Sequence, residues 1–221
     1  MNLGSRYSQH SFAQIPSVHT QRSQFDRSYT VKTTFDFDQL IPIHVDEILP
    51  GDTVNLNLQS FARLATQAVP VMDNMYLDFR FFFVPNRLVW NHWEQFNGYQ
   101  ENPGDSTDFL IPCLDTTMGN FTPTTQSIYD QMGLPAGQGI RSSTANGPRI
   151  SELPLRAYNL IYNEWFRDQN LVNSEPVPKG DGPDGTNTYK ILKTAKIYTK
   201  TSEKFRAKHW IYGHGRIRRK N

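Results

Sequence analysis

Asp181 and Asp184 stand three residues apart in the glycine-rich stretch "GDGPDG" at 180–185. Carboxylates so placed in a tight loop can ligate calcium. A calcium loop needs further oxygen donors at fixed spacing and a bidentate Glu at its end, and none follows here. The stretch therefore reads as a turn. The six histidines His10, His19, His44, His92, His209 and His214 show no metal-ligand spacing with a second His or Cys. Cys113 is the only cysteine, so it forms neither an internal disulfide nor a zinc cluster and reads as a buried free thiol. Asp36 and Asp38 fall on one side of an alternating stretch, where two carboxylates are an ordinary solvated face and not a general acid–base pair. The runs "GLPAGQG" and "GHG" lack the strand before and helix after that a phosphate-binding loop needs. Asn120-Phe121-Thr122 matches a glycosylation sequon without a secretory context. No serine or cysteine has a recognisable activating partner. Nothing supports an enzyme, and no cofactor or metal is expected.

What the residues do offer is aromatic surface. Residues 76–98, "YLDFRFFFVPNRLVWNHWEQFNG", hold seven Phe or Trp among 23 residues. With period two, Leu77, Phe79, Phe81 and Phe83 share one face, while Tyr76, Asp78, Arg80, Phe82 and Val84 share the other. A lone edge strand this apolar would invite aggregation. The run is expected to be a central strand covered on both faces, in part by other copies of the same chain. Phe79, Phe81 and Phe83 are the candidate core or subunit-packing residues here, with Trp93 on the helix that follows. Stacking of bases on these rings beside Arg80 and Arg87 is the competing reading. The one-sided alternation favours packing.

The flanking elements follow from the same rules. Residues 29–41, "YTVKTTFDFDQLI", alternate Val31, Thr33, Phe35 and Phe37 against Lys32, Thr34, Asp36 and Asp38, which predicts a strand. Residues 53–64 alternate Val54, Leu56 and Leu58 against Asn55, Asn57 and Gln59 and predict another. Pro50-Gly51 marks a turn between them. Asn86 suits an N-cap for a short helix carrying Val89, Trp93 and Phe96, ending near Gly98. A second short helix is expected at 125–132, capped by Thr124 or Thr125 and stopped by Gly133. Residues 151–171 give the clearest helix, with Pro154 in its first turn and Tyr158, Ile161, Tyr162 and Trp165 as its apolar stripe. Tyr158 and Trp165 join the candidate packing residues.

Composition adds two constraints. The 221 residues carry a net charge of +2, but residues 190–221 hold 11 Lys/Arg against one acid, Glu203, while residues 1–189 hold 12 against 20. The basic end is unlike the rest of the chain. Lys204, Arg206, Lys208, Trp210, Arg216, Arg218 and Arg219 are the candidate DNA-contacting residues, since cations neutralise phosphates and rings stack on bases. The N-terminal stretch lacks the apolar core of a signal peptide, and no apolar run approaches the ~20 residues that span a bilayer, so membrane insertion is not expected.

Several long segments together resemble one family. "LIPIHVDEILPGDTVNLNLQSFARLATQAVPVMDNMYLDFRFFFVPNRLVWNHWEQFNG" at 40–98, "RISELPLRAYNLIYNEWFRDQNL" at 149–171 and "RSQFDRSYTVKTTF" at 22–35 are similar to the major capsid protein family of gokushoviruses, small icosahedral bacteriophages of the Microviridae. The resemblance runs over roughly 15–192. It implies a mainly β fold: an antiparallel jelly-roll sandwich with helical and loop insertions. It also implies self-assembly into a shell around circular single-stranded DNA, a shell surface that meets the bacterial host, and a place in the virion after assembly in the host cytoplasm. Three regions are expected: an extended arm at 1–28, an incomplete jelly-roll domain at 29–192 and a divergent basic tail at 193–221. Family members are longer, and the segment from 193 does not resemble the expected continuation, which points to a truncated or frameshifted chain. An incomplete sandwich would leave open edges, so the polypeptide alone is expected to fold poorly or aggregate. The alternative is a single-stranded nucleic-acid-binding module that uses the basic tail.

Overall fold

The computed structural model describes residues 23–66, 68–70, 72, 74–114, 121–140, 150–193, 205–209 and 215–217. Its longest helix, α3, spans Leu153–Ile161 and continues as a π-helical turn at Tyr162–Phe166. The sequence explains its start. Pro154 sits in the first turn, where its missing N–H costs nothing. The Leu153 N–H donates to Ser151 Oγ at 3.3 Å. Tyr158, Ile161 and Tyr162 are buried along one face, as the stripe predicts.

Trp165 does not join them. It is 62 % exposed, and Phe166 is buried in its place. The physical reason is the π turn, closed by the Arg167 N–H donating to the Tyr162 carbonyl at 2.9 Å. A wider turn rotates position i+3 off the stripe and leaves position i+4 on it.

The principal core gathers around this helix. Ile128 and Tyr129 from α2 (Ile128–Gln131), together with Leu40, Leu114, Tyr189 and Leu192, pack against Leu155, Tyr158, Ile161, Tyr162 and Phe166. A second cluster joins Val89 and Trp90 to Leu153, with Trp93 and Phe109 packed against it. The helix α2 is capped by Ser127, whose Oγ accepts from the Asp130 N–H, and not by Thr124 or Thr125 as expected. It ends at Gly133, whose φ of 94° suits glycine.

The strands are short. β1 (Phe25–Asp26), β2 (Asn55–Leu56) and β5 (Gly215–Ile217) form a three-stranded ladder in the order β1-β5-β2, with both pairings antiparallel. β3 (Met75–Phe79) pairs in parallel with β4 (Phe205–His209), Met75 opposite Phe205 and Phe79 opposite His209. Two of these strands thus come from the basic end, where the charge pattern alone gave no sign of pairing. Among the described residues these two ladders stand where the resemblance implies an antiparallel jelly-roll sandwich.

Two sequence expectations are corrected. Residues 29–38 are not part of a strand, and Val31, Phe35 and Phe37 are exposed. Alternation supplies two faces, but a strand forms only where a neighbouring backbone completes its ladder. Here pairing begins at Gln39, which bridges antiparallel to Lys193. Over 53–64 only Asn55–Leu56 is strand. The Pro50-Gly51 turn is present: Gly51 has φ 83° and the Asp52 N–H donates to the Leu49 carbonyl at 3.1 Å.

The expected helix after Asn86 is also split. Asn86–Leu88 is a 3-10 turn and α1 is Trp93–Phe96. Between them Val89 and Trp90 are fully buried, and the Trp90 ring lies 5.4 Å from Phe96 and 6.2 Å from Trp93.

Candidate assembly interface

The aromatic run is where the chain's own packing stops. Phe82 and Val84 turn toward the core, and Phe82 packs on the π turn with its ring 5.7 Å from Trp165 and 5.9 Å from Phe166. Their neighbours point the other way: Phe81 is 53 % and Phe83 76 % exposed. Phe79, Phe81 and Phe83 are expected to pack in the core or against other subunits; the chain's own core takes Phe82 and Val84 and leaves Phe81 and Phe83 out of it. Both parities carry rings at 81–84, so the helix can cover only one of them. The face that α3 covers is the one bearing Phe82 and Val84. Phe79, at the end of β3, is half-buried.

More apolar surface lies near this run in sequence. Phe61 is 92 % and Met72 95 % exposed, and Leu64 and Val69 are exposed as well. Scattered exposed apolar residues are normal, whereas a contiguous apolar patch is a feature of partner-binding surfaces. Two cavities lie around the 47–50 turn, one of them shared with Trp93, Glu94 and Tyr99.

The scaffold behind the exposed face is held by buried polar links. The Tyr158 hydroxyl donates to the Leu40 carbonyl and accepts from the Leu192 N–H, both at 2.9 Å. The Leu40 N–H in turn donates to the Leu192 carbonyl at 2.9 Å. Burial pushes the Tyr158 phenol up, away from ionisation. One helix side chain thereby ties residue 40 to residue 192 and brings the two ends of the core segment together.

A second link centres on Arg156. Its Nε and Nη2 donate to Asp184 at 2.7 and 3.1 Å, and Nη2 also donates to Glu152 at 2.9 Å. Nη1 donates to the Gly180 carbonyl at 3.0 Å and reaches the Val89 carbonyl at 3.4 Å. The Asp184 N–H donates to Glu152 Oε1 at 2.6 Å, and the Tyr189 hydroxyl donates to Asp184 at 2.5 Å. At the near end of the loop, Asp181 accepts from Trp90 Nε1 at 2.6 Å and bonds His92 Nδ1 at 2.9 Å. The two aspartates weighed as calcium ligands are thus occupied by protein partners. The ring of His92 stacks on Phe109 at 4.2 Å, as a packed residue does.

The remaining sequence candidates are placed as follows. Trp93 is half-buried against the second cluster and Tyr158 is buried in the first. Trp165 is exposed beside Phe82. Arg206 and Lys208 lie in β4, in register with Tyr76 and Asp78. Arg216 lies in β5 opposite Asp26 and Asn55. Lys204, Trp210, Arg218 and Arg219 lie outside the described residues. Cys113 is half-buried, with Sγ donating to the Ile111 carbonyl. Trp90, Phe166 and Arg156 are not among the sequence candidates. Only Arg156 carried a local signal, the i, i+4 spacing from Glu152.

Comparison with known proteins agrees with this reading. The model of the family described as capsid protein (F protein) matches residues 13–203. The chain is 61 % identical over 196 residues to capsid protein VP1 of Bdellovibrio phage phiMH2K, covering 89 % of this chain and 35 % of that protein. It is 44 % identical over 176 residues to capsid protein VP1 of Chlamydia phage 1, covering 77 % and 28 %. It is 31 % identical over 163 residues to capsid protein VP1 of Spiroplasma virus 4, covering 73 % and 28 %. The chain spans about a third of the length of the relatives it matches. With a family match over most of its residues and a structure that leaves half of its aromatic run uncovered, the chain belongs to the capsid protein (F protein) family.

Proposed function

We propose that this chain acts as a structural coat subunit and not as an enzyme, self-assembling into the icosahedral shell of a small single-stranded DNA bacteriophage. The observation that carries this reading is the division of the aromatic run. Phe82 and Val84 pack on the chain's own helix, while Phe81 and Phe83 remain exposed on the opposite side. Covering those rings with apolar surface from sister molecules is favourable at roughly 25 cal/mol per Å² buried. The family membership supplies the class of protein in which such cover comes from other subunits. The jelly-roll sandwich belongs to this proposal too, supported by the antiparallel pairing of β5 with β1 and β2.

Packaged single-stranded DNA is the proposed inner partner, with the basic end from 190 onward supplying cations; the host surface is the proposed outer one. The proposed location is the virion, with assembly in the host cytoplasm.

Sedimentation velocity and electron microscopy of the purified chain, alone and mixed with circular single-stranded DNA, test the proposal. Shell-sized or sheet-like assemblies that Phe81→Ser/Phe83→Ser disperses are the expected result. Small complexes that form only with DNA, unaffected by those substitutions, would favour the nucleic-acid-binding module instead.

A further inference from the structure

The Arg156 cluster holds more acid than base. Glu152 and Arg156 are 0 % exposed and Asp184 is 7 % exposed, so two carboxylates face one guanidinium out of water. With both ionised, the cluster would bury a net negative charge, and low dielectric penalises an uncompensated buried charge heavily. The two acids are not equivalent. Asp184 receives Nε and Nη2 of Arg156 and the Tyr189 hydroxyl. Glu152 receives one Arg156 nitrogen and the Asp184 N–H. The Asp184 N–H on Glu152 Oε1 and the Arg156 Nη2 shared by both acids hold the two carboxyls side by side, so a proton on Glu152 lies next to a carboxylate.

We propose that Glu152 and Asp184 hold a single exchangeable proton between them, and that its loss loosens the 180–185 loop from helix α3. Glu152 and Arg156 lie on the same helical segment, four residues apart. Asp184 is the member that belongs to the loop, so repulsion between the carboxylates is relieved by moving the loop and not the helix. What the latch fastens is specific: Gly180 and Gly182 carbonyls on Arg156, and Asp181 on Trp90 and His92. Opening it would uncover Trp90, which is fully buried.

The electrostatics agree with the geometry. Burial first, then the neighbouring Asp184 carboxyl, push Glu152 up to about 7 against the pull of the Asp184 N–H and, less strongly, of Arg156. Burial also raises Asp184, but the donors Arg156, Tyr189 and Glu152 outweigh it and hold Asp184 below its usual range. The other ionisable groups facing the cluster are Tyr189, raised by burial and by Asp184, and Tyr129 of α2, pushed up to about 12 by burial with Glu152 and Asp184 adding to it. Both stay neutral near pH 7. Asp181 at the loop's other end, with His92 bonded to it, completes the set. A carboxyl whose folded value is raised stabilises fully below its unfolded value. That contribution is lost as pH rises toward the folded value. The latch is therefore tightest in mild acid, loosens up to neutrality and then levels off.

Hydrogen exchange of the full chain across 180–185, corrected for the intrinsic pH dependence of exchange, tests this. Protection is expected to fall by up to about tenfold per pH unit from about pH 5 to 7, the slope for one linked proton, and then to level. Glu152→Gln should flatten the profile, and His92→Asn should leave the slope in place. A flat profile in the unsubstituted chain, or a slope that survives Glu152→Gln, overturns the proposal. Infrared spectroscopy of the unsubstituted chain reads the proton directly, whether or not the variant folds. A protonated-carboxyl band that persists at about pH 6 supports the latch, and a band already gone there rules it out.

Discussion

Phe82 meets Phe166 edge to face, ring centroids 5.9 Å apart, while Phe81 and Phe83 on either side of it project away from the helix. That contact divides the aromatic run into a half packed on the chain's own core and a half left exposed. Phe82→Ala should destabilise the chain by about 2–4 kcal/mol, since the contact is with the core and a cavity would remain. Phe81→Ser and Phe83→Ser should change stability little but reduce self-association. Thermal unfolding together with light scattering separates the two effects. Equal destabilisation by all three substitutions would contradict the division.

Without partners the chain has apolar surface to hide. Purified alone, it should self-associate in a concentration-dependent manner, because Phe61, Met72 and Phe83 are all largely exposed. Analytical ultracentrifugation over a concentration series measures this. A clean monomer with two-state unfolding at every concentration is the outcome that counts against the coat-subunit reading.

Removing the guanidinium of Arg156 should be among the costliest single changes. Arg156→Met leaves Glu152 and Asp184 buried without their cation, a loss of about 3–5 kcal/mol. Urea midpoints with unchanged slopes would report it. A shift under about 1 kcal/mol would show that the cluster is satisfied in some other way.

Tyr158 joins Leu40 to Leu192 through one hydroxyl. Tyr158→Phe keeps the ring and its packing but leaves the Leu192 N–H and the Leu40 carbonyl each with one partner fewer. The expected cost is about 1–3 kcal/mol. Faster proteolysis near residues 40 and 192 is the accompanying readout, and proteolysis unchanged at both sites would sink this link.

Acid should loosen the segment after β1. Tyr29 hydrogen-bonds His44 Nδ1, and Arg27 pairs with Asp46 at 2.5 Å. Burial holds the His44 imidazole below its ordinary value, opposed by Asp46 and reinforced by Arg27. A depressed folded value gives stability that is present above the unfolded value of 6.5 and lost as pH falls through the folded one. Limited proteolysis at 27–31 should therefore accelerate below about pH 6, and His44→Gln should remove that dependence. Acceleration on raising the pH instead would reverse the sign and refute the assignment.

The sequence by itself determined a good deal. Its ordered segments identified the family, and its glycines and prolines placed the turn at Gly51 and the first turn of α3. Its period-two and helical patterns placed β3 and most of the α3 stripe. Alternation fixes which residues share a face but not which face meets the core. That is why alternation marks Phe79, Phe81 and Phe83 as core or subunit-packing residues without deciding between the two, and it is Phe82 and Val84 that meet the chain's own core. Helical spacing likewise assumes an α turn throughout, so Trp165 was expected where the π turn puts Phe166. The Arg156–Asp184 pair spans 28 residues, and no local pattern ties a helix to a loop at that distance. Only the tertiary structure decided these three, because each depends on which distant surface arrives to exclude water from one side of a segment that could bury either.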